Sequence, residues 1–211
     1  VHNALIELNG PEAPILDGSA VPFVQEILAA GVKPQNVPVT VFKVRKSVEF
    51  HCDDGWARLA PADTLQMDFH IEFEDAAIGI QSKKLNLANG AFVRELCDSR
   101  TFCRQSDVDT MRANGLALGG TLHNAVVVDG ESVLNPGGMR YSDEPVRHKM
   151  LDALGDLALA GAPIIGHYTG FRAGHEITNN LLRELFTVPG AVEQVQCTPD
   201  MLACLPGVGV T

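Results

Sequence analysis

The chain has 211 residues, of which 45% are hydrophobic and 20% are charged, proportions typical of a globular protein. This length is sufficient for one complete hydrophobic core, or for one domain with part of another. The formal net charge of −10 argues against nucleic acid and anionic membranes as main partners, because both bind basic surfaces.

Cysteine usage and hydropathy indicate the compartment. The sequence contains five cysteines, an odd number, and no Cys-x-x-Cys motif. Neither a disulfide framework nor a cysteine metal site is expected, and a reducing, cytoplasmic compartment fits best. No apolar run reaches about 18 residues and no segment has the pattern of a signal peptide, so we expect no membrane span.

The first predicted element is a half-buried strand over residues 1–8, where apolar and polar side chains alternate. A helix is predicted over 20–31, with Asp17 or Ser19 as its capping residue and a glycine at its end. The proline-containing stretch 32–38 is the best candidate for a linker.

The middle of the chain is rich in predicted strands. Residues 39–52, 55–61 and 65–74 are predicted to form three consecutive antiparallel strands. Short helices are predicted over 90–100 and 107–114, and the second of these ends at a glycine.

The last third contains the longest predicted helix. Residues 124–135 indicate a hairpin that turns at an Asp-Gly pair. A long helix follows from about residue 143 to residue 160, then a strand over 163–171 and a helix over 175–186. Antiparallel strands with interspersed helices predict an α+β protein, with helices packed over one face of each sheet.

The long predicted helix carries three polar side chains in one stripe. His148, Asp152 and Asp156 are four residues apart, so they share a helix face. A His and an Asp at this spacing can bind one metal ion, and a carboxylate one turn further can orient a second histidine. Because the spacing is common on helices, solvated surface side chains are the alternative.

His175 is the second candidate, in the segment Gly-Phe-Arg-Ala-Gly-His-Glu at 170–176. Its glycines allow the backbone to approach a ligand, and a helix N-terminus stabilises negative charge that develops nearby. Capping and surface histidines are common at such turns, and that alternative stays open. The other five histidines have no local pattern and are expected to be structural or exposed: His2, His51, His70, His123 and His167.

Five segments together resemble one enzyme family, the zinc-dependent deacetylases of lipid A biosynthesis that act on UDP-3-O-acyl-N-acetylglucosamine. The motifs keep the family's order, and the resemblance covers nearly the whole chain. The matching segments are 11–23, 100–102, 115–129, 146–161 and 171–182.

The resemblance implies an enzyme of Gram-negative bacteria that releases acetate and a free 2-amino sugar nucleotide, the committed step towards lipid A. His148 and Asp152 would be two of the three protein ligands of a catalytic Zn²⁺. His175 would be the general acid, with Asp156 as its orienting partner and Thr101 as a hydroxyl at the reacting centre. A monomer is expected.

The resemblance also implies a substrate pocket. Lys149 matches a residue near the nucleotide phosphates. An insert over about 103–140 resembles a βαβ element that forms a hydrophobic passage for the fatty acyl chain. Further residues fall in segments that line the pocket: Phe102, Asp107, Ala117 and Gly120.

The expected architecture is a two-layer sandwich over 37–211, with helices on one face of a mostly antiparallel sheet, plus a remnant of a second similar domain over 1–36. In the family, the third zinc ligand and the general base are adjacent in a Glu-His-Leu motif, and no Glu-His dipeptide occurs in this sequence. We therefore expect a piece of a longer protein, with weak zinc binding and little activity. A non-catalytic module that binds the sugar nucleotide and acyl chain is the alternative.

Overall fold

The computed structural model describes residues 1–88 and 90–206, which form a large sheet, a small sheet and several helices. The large sheet contains β1 (Thr40–Val44), β2 (Val48–Cys52), β3 (Gly55–Ala60), β4 (Leu65–Glu72), β5 (Ile80–Asn86), β9 (Ile164–Phe171) and β10 (Val192–Gln196). The small sheet contains β6 (Phe102–Arg104), β7 (Val126–Asp129) and β8 (Ser132–Val133). The α-helices are α1 (Val21–Ala30), α2 (Gln105–Ala113), α3 (Glu144–Leu157), α4 (His175–Thr187) and α5 (Pro199–Ala203).

Strand β9 organises the large sheet. It pairs in parallel with β1 and β4, and antiparallel with β3. The remaining pairs are antiparallel, β10 with β1, β2 with β3, and β5 with β4. Helix α4 begins four residues after β9 ends. The position of this central strand therefore limits where the first residue of α4 can lie.

The core lies between one face of the large sheet and helices α3 and α4. Along β4 every second side chain is buried, from Leu65 to Ile71, whereas the intervening side chains are partly exposed. The buried side chains of the two helices include Val146, Met150, Leu181 and Leu185. Burial of each such aliphatic side chain stabilises the fold by about 1.5–3 kcal/mol. This arrangement confirms the predicted α+β class.

The small sheet lies in the region of the predicted insert. Strands β6 and β7 are parallel, with α2 between them in the chain, and β7 and β8 form the hairpin predicted at the Asp-Gly pair. Asp129 lies opposite Ser132, and Gly130 has a φ of 56°, a left-handed conformation that glycine adopts readily. A passage for an acyl chain through this region stays a prediction.

The predicted strand over residues 1–8 is wrong. These residues have no strand conformation, and all of their side chains are exposed. Alternation of apolar and polar residues produces a strand only where a neighbouring strand supplies hydrogen-bond partners, and no strand of the described residues pairs with this segment. Helix α1 is present, and the Ser19 hydroxyl accepts the N–H of Val21, although Ala20 occupies the N-cap position.

The predicted series of three antiparallel strands is correct only in part. Residues 39–52 divide into β1 and β2, which pair with different strands. Strands β3 and β4 are not neighbours, because each pairs with β9. The first three residues of β9 are all buried, as expected for a strand inside a sheet. The position of β9 between β3 and β4 depends on contacts between distant residues, which the local sequence pattern does not indicate.

Within the described part of the chain, no helix has both the length and the apolar character needed to cross a membrane.

Candidate active site

His148 and Asp152 face each other on successive turns of α3. Nε2 of His148 lies 3.2 Å from Oδ1 of Asp152, and both side chains are largely buried. Nδ1 of His148 donates a hydrogen bond to the carbonyl oxygen of Ser99 at 2.9 Å. Because a carbonyl only accepts, Nδ1 carries a proton and Nε2 is the nitrogen that faces the carboxylate.

The close approach of Nε2 of His148 to Oδ1 of Asp152 suits a proton or a metal ion shared by the two side chains. An unprotonated Nε2 would point its lone pair at a carboxylate oxygen, which is repulsive unless a proton or a metal ion lies between them. Burial raises the pKa of Asp152, but the hydrogen bonds and charges of His148 and Lys149 outweigh burial and lower the pKa below its usual value. The Nζ of Lys149 lies 3.2 Å from Oδ2 of Asp152. The carboxylate is thus held ionised, the form that binds metal ions.

Asp156 and His175 form a second pair, across the gap between α3 and α4. Nδ1 of His175 lies 3.0 Å from each carboxylate oxygen of Asp156. The His175 side chain is 65% exposed, whereas that of Asp156 is 13% exposed. Burial, together with the nearby charge of Asp152, raises the pKa of Asp156 despite the opposing effect of His175.

The position of His175 at the start of α4 leaves one ring nitrogen available. Gly174 is the N-cap of α4, and His175 follows it directly. With Nδ1 held by the carboxylate, no residue in the described ranges forms a hydrogen bond with Nε2. The structure therefore presents Nε2 of His175 outward, beside the N-terminus of a helix.

The segment that precedes and includes β6 runs past His148. The Phe102 ring packs edge-on against the His148 imidazole, with ring centroids 6.5 Å apart. Thr101, the preceding residue, is half-buried, donates its N–H to the Gly18 carbonyl at 2.7 Å and accepts the N–H of Val126 at 2.8 Å. The structure thus brings Phe102 directly to the metal-ligand candidate and holds Thr101 next to it in the chain.

Three predicted pocket residues are not joined to this centre. Asp107 forms an ion pair with Arg104, whose Nε lies 2.9 Å from Oδ2. Ala117 is exposed with a φ of 51°, and its carbonyl accepts the N–H of Gly120 at 3.0 Å. Across residues 1–88 and 90–206, no hydrogen bond or ion pair links these three residues to the pair on α3.

The five histidines without a local sequence pattern lie outside the centre. His51, His70 and His167 are on strands of the large sheet, and each is paired with a carboxylate. His2 and His123 are exposed. Their expected role as structural or exposed groups agrees with these positions.

The Ser99 carbonyl is a site component that sequence reasoning missed. Every residue has a backbone carbonyl, so no residue type in the sequence indicates which carbonyl accepts a hydrogen bond from a histidine. The described residues contain no group of three or more His, Cys, Asp or Glu side chains arranged to hold a metal ion. The two-ligand pair on α3 fits part of a zinc site, which typically has three or four protein ligands.

Comparison with known proteins identifies relatives over most of the chain. The family model described as UDP-3-O-acyl N-acetylglycosamine deacetylase matches residues 1–187. The UDP-3-O-acyl-N-acetylglucosamine deacetylase of Anaeromyxobacter sp. (strain Fw109-5) is 44% identical over 200 residues, which are 95% of this chain and 66% of that protein. The enzyme of the same name from Phenylobacterium zucineum (strain HLK1) is 46% identical, over 90% of this chain and 65% of its own length. The chain thus spans slightly less than two thirds of the length of these relatives.

Proposed function

The chain belongs to the UDP-3-O-acyl N-acetylglycosamine deacetylase family, and we propose that it contributes to deacetylation of UDP-3-O-acyl-N-acetylglucosamine in lipid A biosynthesis. The observation that carries this proposal is the presence of two neighbouring His–Asp couples, His148 with Asp152 on α3 and His175 at the start of α4 with Asp156 on α3. One couple has the chemistry of a metal site, and the other has the chemistry of an oriented acid. Asp152 and Asp156 are one helical turn apart, about 5.4 Å along the axis of α3. This spacing supports the proposal that both couples act on one small substrate group.

The proposed cofactor is Zn²⁺, held by Nε2 of His148 and Oδ1 of Asp152. The fixed proton on Nδ1 and the ionised carboxylate are the protonation states that zinc binding requires. When bound, zinc supplies a Lewis acid for the amide carbonyl. The charge of Lys149 offsets part of the carboxylate charge, and this residue is the proposed contact for the nucleotide phosphates.

His175 is the proposed general acid. A carboxylate only accepts, so the bond to Asp156 keeps a proton on Nδ1 and leaves Nε2 as the nitrogen that can exchange a proton with substrate. When it carries a proton, Nε2 can give it to the amine that leaves when the amide bond breaks. The N-terminus of α4 stabilises negative charge that develops beside this ring.

The remaining proposed contacts concern the substrate. Phe102 packs against His148, and Thr101 precedes Phe102 in the chain. Both residues are proposed to contact the acetylated sugar. The region 103–140, with Asp107, Ala117 and Gly120, is proposed to receive the acyl chain. Two strongly exposed apolar side chains in this region support the proposal, Leu116 at 61% and Leu118 at 74% exposed.

The activity of this particular chain is proposed to be low. Two zinc ligands are available among the described residues, so binding would be weaker than at a site with three. Residues 1–36 are proposed to belong to a second domain, since α1 buries none of its side chains. We also propose a monomer in the cytoplasm of a Gram-negative bacterium. A non-catalytic module for the sugar nucleotide and acyl chain is the second candidate, supported by the same two-ligand count.

The test of the proposal is zinc binding by the 211-residue chain after treatment with chelator. We expect measurable zinc uptake that is lost in Asp152→Ala and retained in Asp63→Ala, because Asp63 is a fully exposed carboxylate far from α3 in sequence. Release of free amine from the acylated substrate would be assayed with the same samples. Equal zinc uptake by all three proteins would contradict the proposed metal site. Zinc uptake without any turnover would favour the non-catalytic module.

A further inference from the structure

A buried carboxylate lies one turn before His148 on α3. Glu144 is the first residue of this helix and is 1% exposed. Its Oε1 accepts the backbone N–H and the Nε–H of Arg100, each at 2.9 Å. Its Oε2 accepts Nη2 of Arg100 at 3.1 Å and the backbone N–H of Arg140 at 2.7 Å. One side chain thus joins α3 to two separate segments.

These four bonds fully satisfy a charge that burial would otherwise disfavour. Burial raises the pKa of Glu144, but the bonds from Arg100 and Arg140 outweigh burial and lower the pKa below its usual value. The carboxylate therefore stays ionised and acts only as an acceptor. All four of its donors are directed by the fold, two from backbone N–H groups and two from one guanidinium.

Glu144 and His148 hold the two ends of one peptide unit. The backbone N–H that Glu144 accepts belongs to Arg100, and the carbonyl that accepts from His148 Nδ1 belongs to Ser99. These two groups are parts of the same peptide bond, which is planar, so fixing its N–H also fixes the direction of its C=O. Two side chains one turn apart on α3 therefore bind the Ser99–Arg100 peptide, Glu144 through the N–H and His148 through the C=O.

We propose that Glu144 is a positioning residue for the metal ligand His148. By holding the peptide N–H, Glu144 aims the Ser99 carbonyl at Nδ1 and so directs Nε2 towards Asp152. This inference rests on the proposed zinc site. A purely structural role, in which Glu144 only anchors the segment around residue 100, would leave the imidazole hydrogen bond unchanged when Glu144 is weakened.

The first test follows the Nδ1 proton of His148 in the 211-residue chain without metal. In Glu144→Gln, an NH₂ group replaces one acceptor and meets the donors that this acceptor satisfied, which should loosen the peptide. We expect hydrogen exchange of the Nδ1 proton, observed by ¹H–¹⁵N spectroscopy of ¹⁵N-histidine protein, to accelerate by about tenfold or more. The signal is assigned by its absence in His148→Gln. Unchanged exchange in Glu144→Gln would overturn the proposal.

Asp143→Asn is the matched control. Asp143 also lies at the start of α3 and pairs with Arg147 and Lys83, but it forms no bond with the Ser99–Arg100 peptide. We expect Asp143→Asn to lower the free energy of unfolding without accelerating exchange of the His148 proton. Equal acceleration in both variants would mean that general loss of stability explains the effect, and would overturn the proposal.

A second readout is zinc affinity, which we expect to weaken by about tenfold in Glu144→Gln, as for other groups that orient metal-bound histidines. Zinc affinity equal to that of the unsubstituted chain would overturn the proposal.

If Glu144→Gln does not fold, Arg100→Lys removes two of the four bonds while keeping the charge, and about threefold faster proton exchange is expected. Because the exchange measurement needs no metal, it decides the role of Glu144 even if the unsubstituted chain fails to bind zinc. Such a failure would count against the proposed function instead.

Discussion

Asp156 presents both of its carboxylate oxygens to Nδ1 of His175, each at 3.0 Å, from the adjacent helix. The Asp156 carboxylate is mostly buried, whereas the His175 imidazole is mostly exposed. The buried carboxylate therefore binds one nitrogen of the accessible ring. Two carboxylates on α3, Asp152 and Asp156, have opposite pKa shifts although they are one turn apart. This opposition leads to two predictions of opposite sign.

Asp152→Asn should destabilise the metal-free protein at neutral pH, by about 1–3 kcal/mol, because a buried ionised partner of His148 and Lys149 is lost. The pKa of Asp152 is lowered in the folded state, so its stabilisation is present above the ordinary value of 3.8 and is lost as pH falls through the folded pKa. Urea unfolding in chelator, at neutral pH and at the lowest pH where the chain stays folded, measures this difference. A stability difference that does not shrink at acidic pH would contradict the prediction.

Asp156→Asn should stabilise the metal-free protein at neutral pH, by less than about 1 kcal/mol. The pKa of Asp156 is raised in the folded state, so its contribution to stability is greatest below the ordinary value of 3.8 and declines as pH rises through the folded pKa. The neutral amide removes the charge that burial and Asp152 disfavour. The same unfolding measurements check it, and a clear loss of stability at neutral pH would show that the bond to His175 outweighs burial.

Leu181→Ala should reduce the free energy of unfolding by about 2–5 kcal/mol, because this side chain of α4 is fully buried against the sheet. Leu159→Ala is the matched control, since Leu159 is 69% exposed, and we expect its effect to stay within about 0.5 kcal/mol. Denaturant unfolding of both variants tests the placement of α4. Comparable effects of the two substitutions would mean that α4 does not pack on the sheet as described.

Gly18→Ala should disturb the segment around Thr101. Gly18 has a φ of 84°, and an added Cβ would collide with the carbonyl of Asn124 and lie 3.2 Å from Cγ2 of Thr101. We expect a loss of more than about 1 kcal/mol and faster exchange of the Thr101 N–H, which donates to the Gly18 carbonyl. Gly10→Ala is the control, because nothing lies within 4 Å of its added Cβ. Equal exchange of the Thr101 N–H in both variants would contradict the prediction.

The sequence was sufficient to predict the elements that carry the site. Helix α3, strand β9 and helix α4 have strong periodicity, and each lies within a residue or two of its predicted bounds apart from a final 3₁₀ turn after α3. The spacing of His148, Asp152 and Asp156 predicts one stripe because helix geometry alone determines it. The roles of these residues as ligands and orienting group stay proposals.

Other features depend on contacts between distant parts of the chain. Residues 1–8 have the pattern of a strand but pair with no other strand in the described structure, so the pattern alone was misleading. The place of β9 between β3 and β4 follows from its pairing with both strands, which the local pattern of residues 55–74 does not encode. The hydrogen bond from the Arg100 N–H to the Glu144 carboxylate joins residues 44 positions apart through a backbone group. No sequence motif indicates this bond.

The attachment of α4 to β9 determines how the centre responds to partial unfolding. Strand β9 pairs with three other strands, and its Tyr168 is fully buried and bonded to Thr178 of α4. Strands with so many partners are the last to exchange their amide protons, whereas terminal elements such as α5 and edge strands such as β10 open at lower free energy. Fraying of the C-terminal elements would therefore leave the first residue of α4, and with it the backbone of His175, in place. Loss of this backbone position relative to Asp156 should report opening of the central sheet rather than fraying at the C-terminal end.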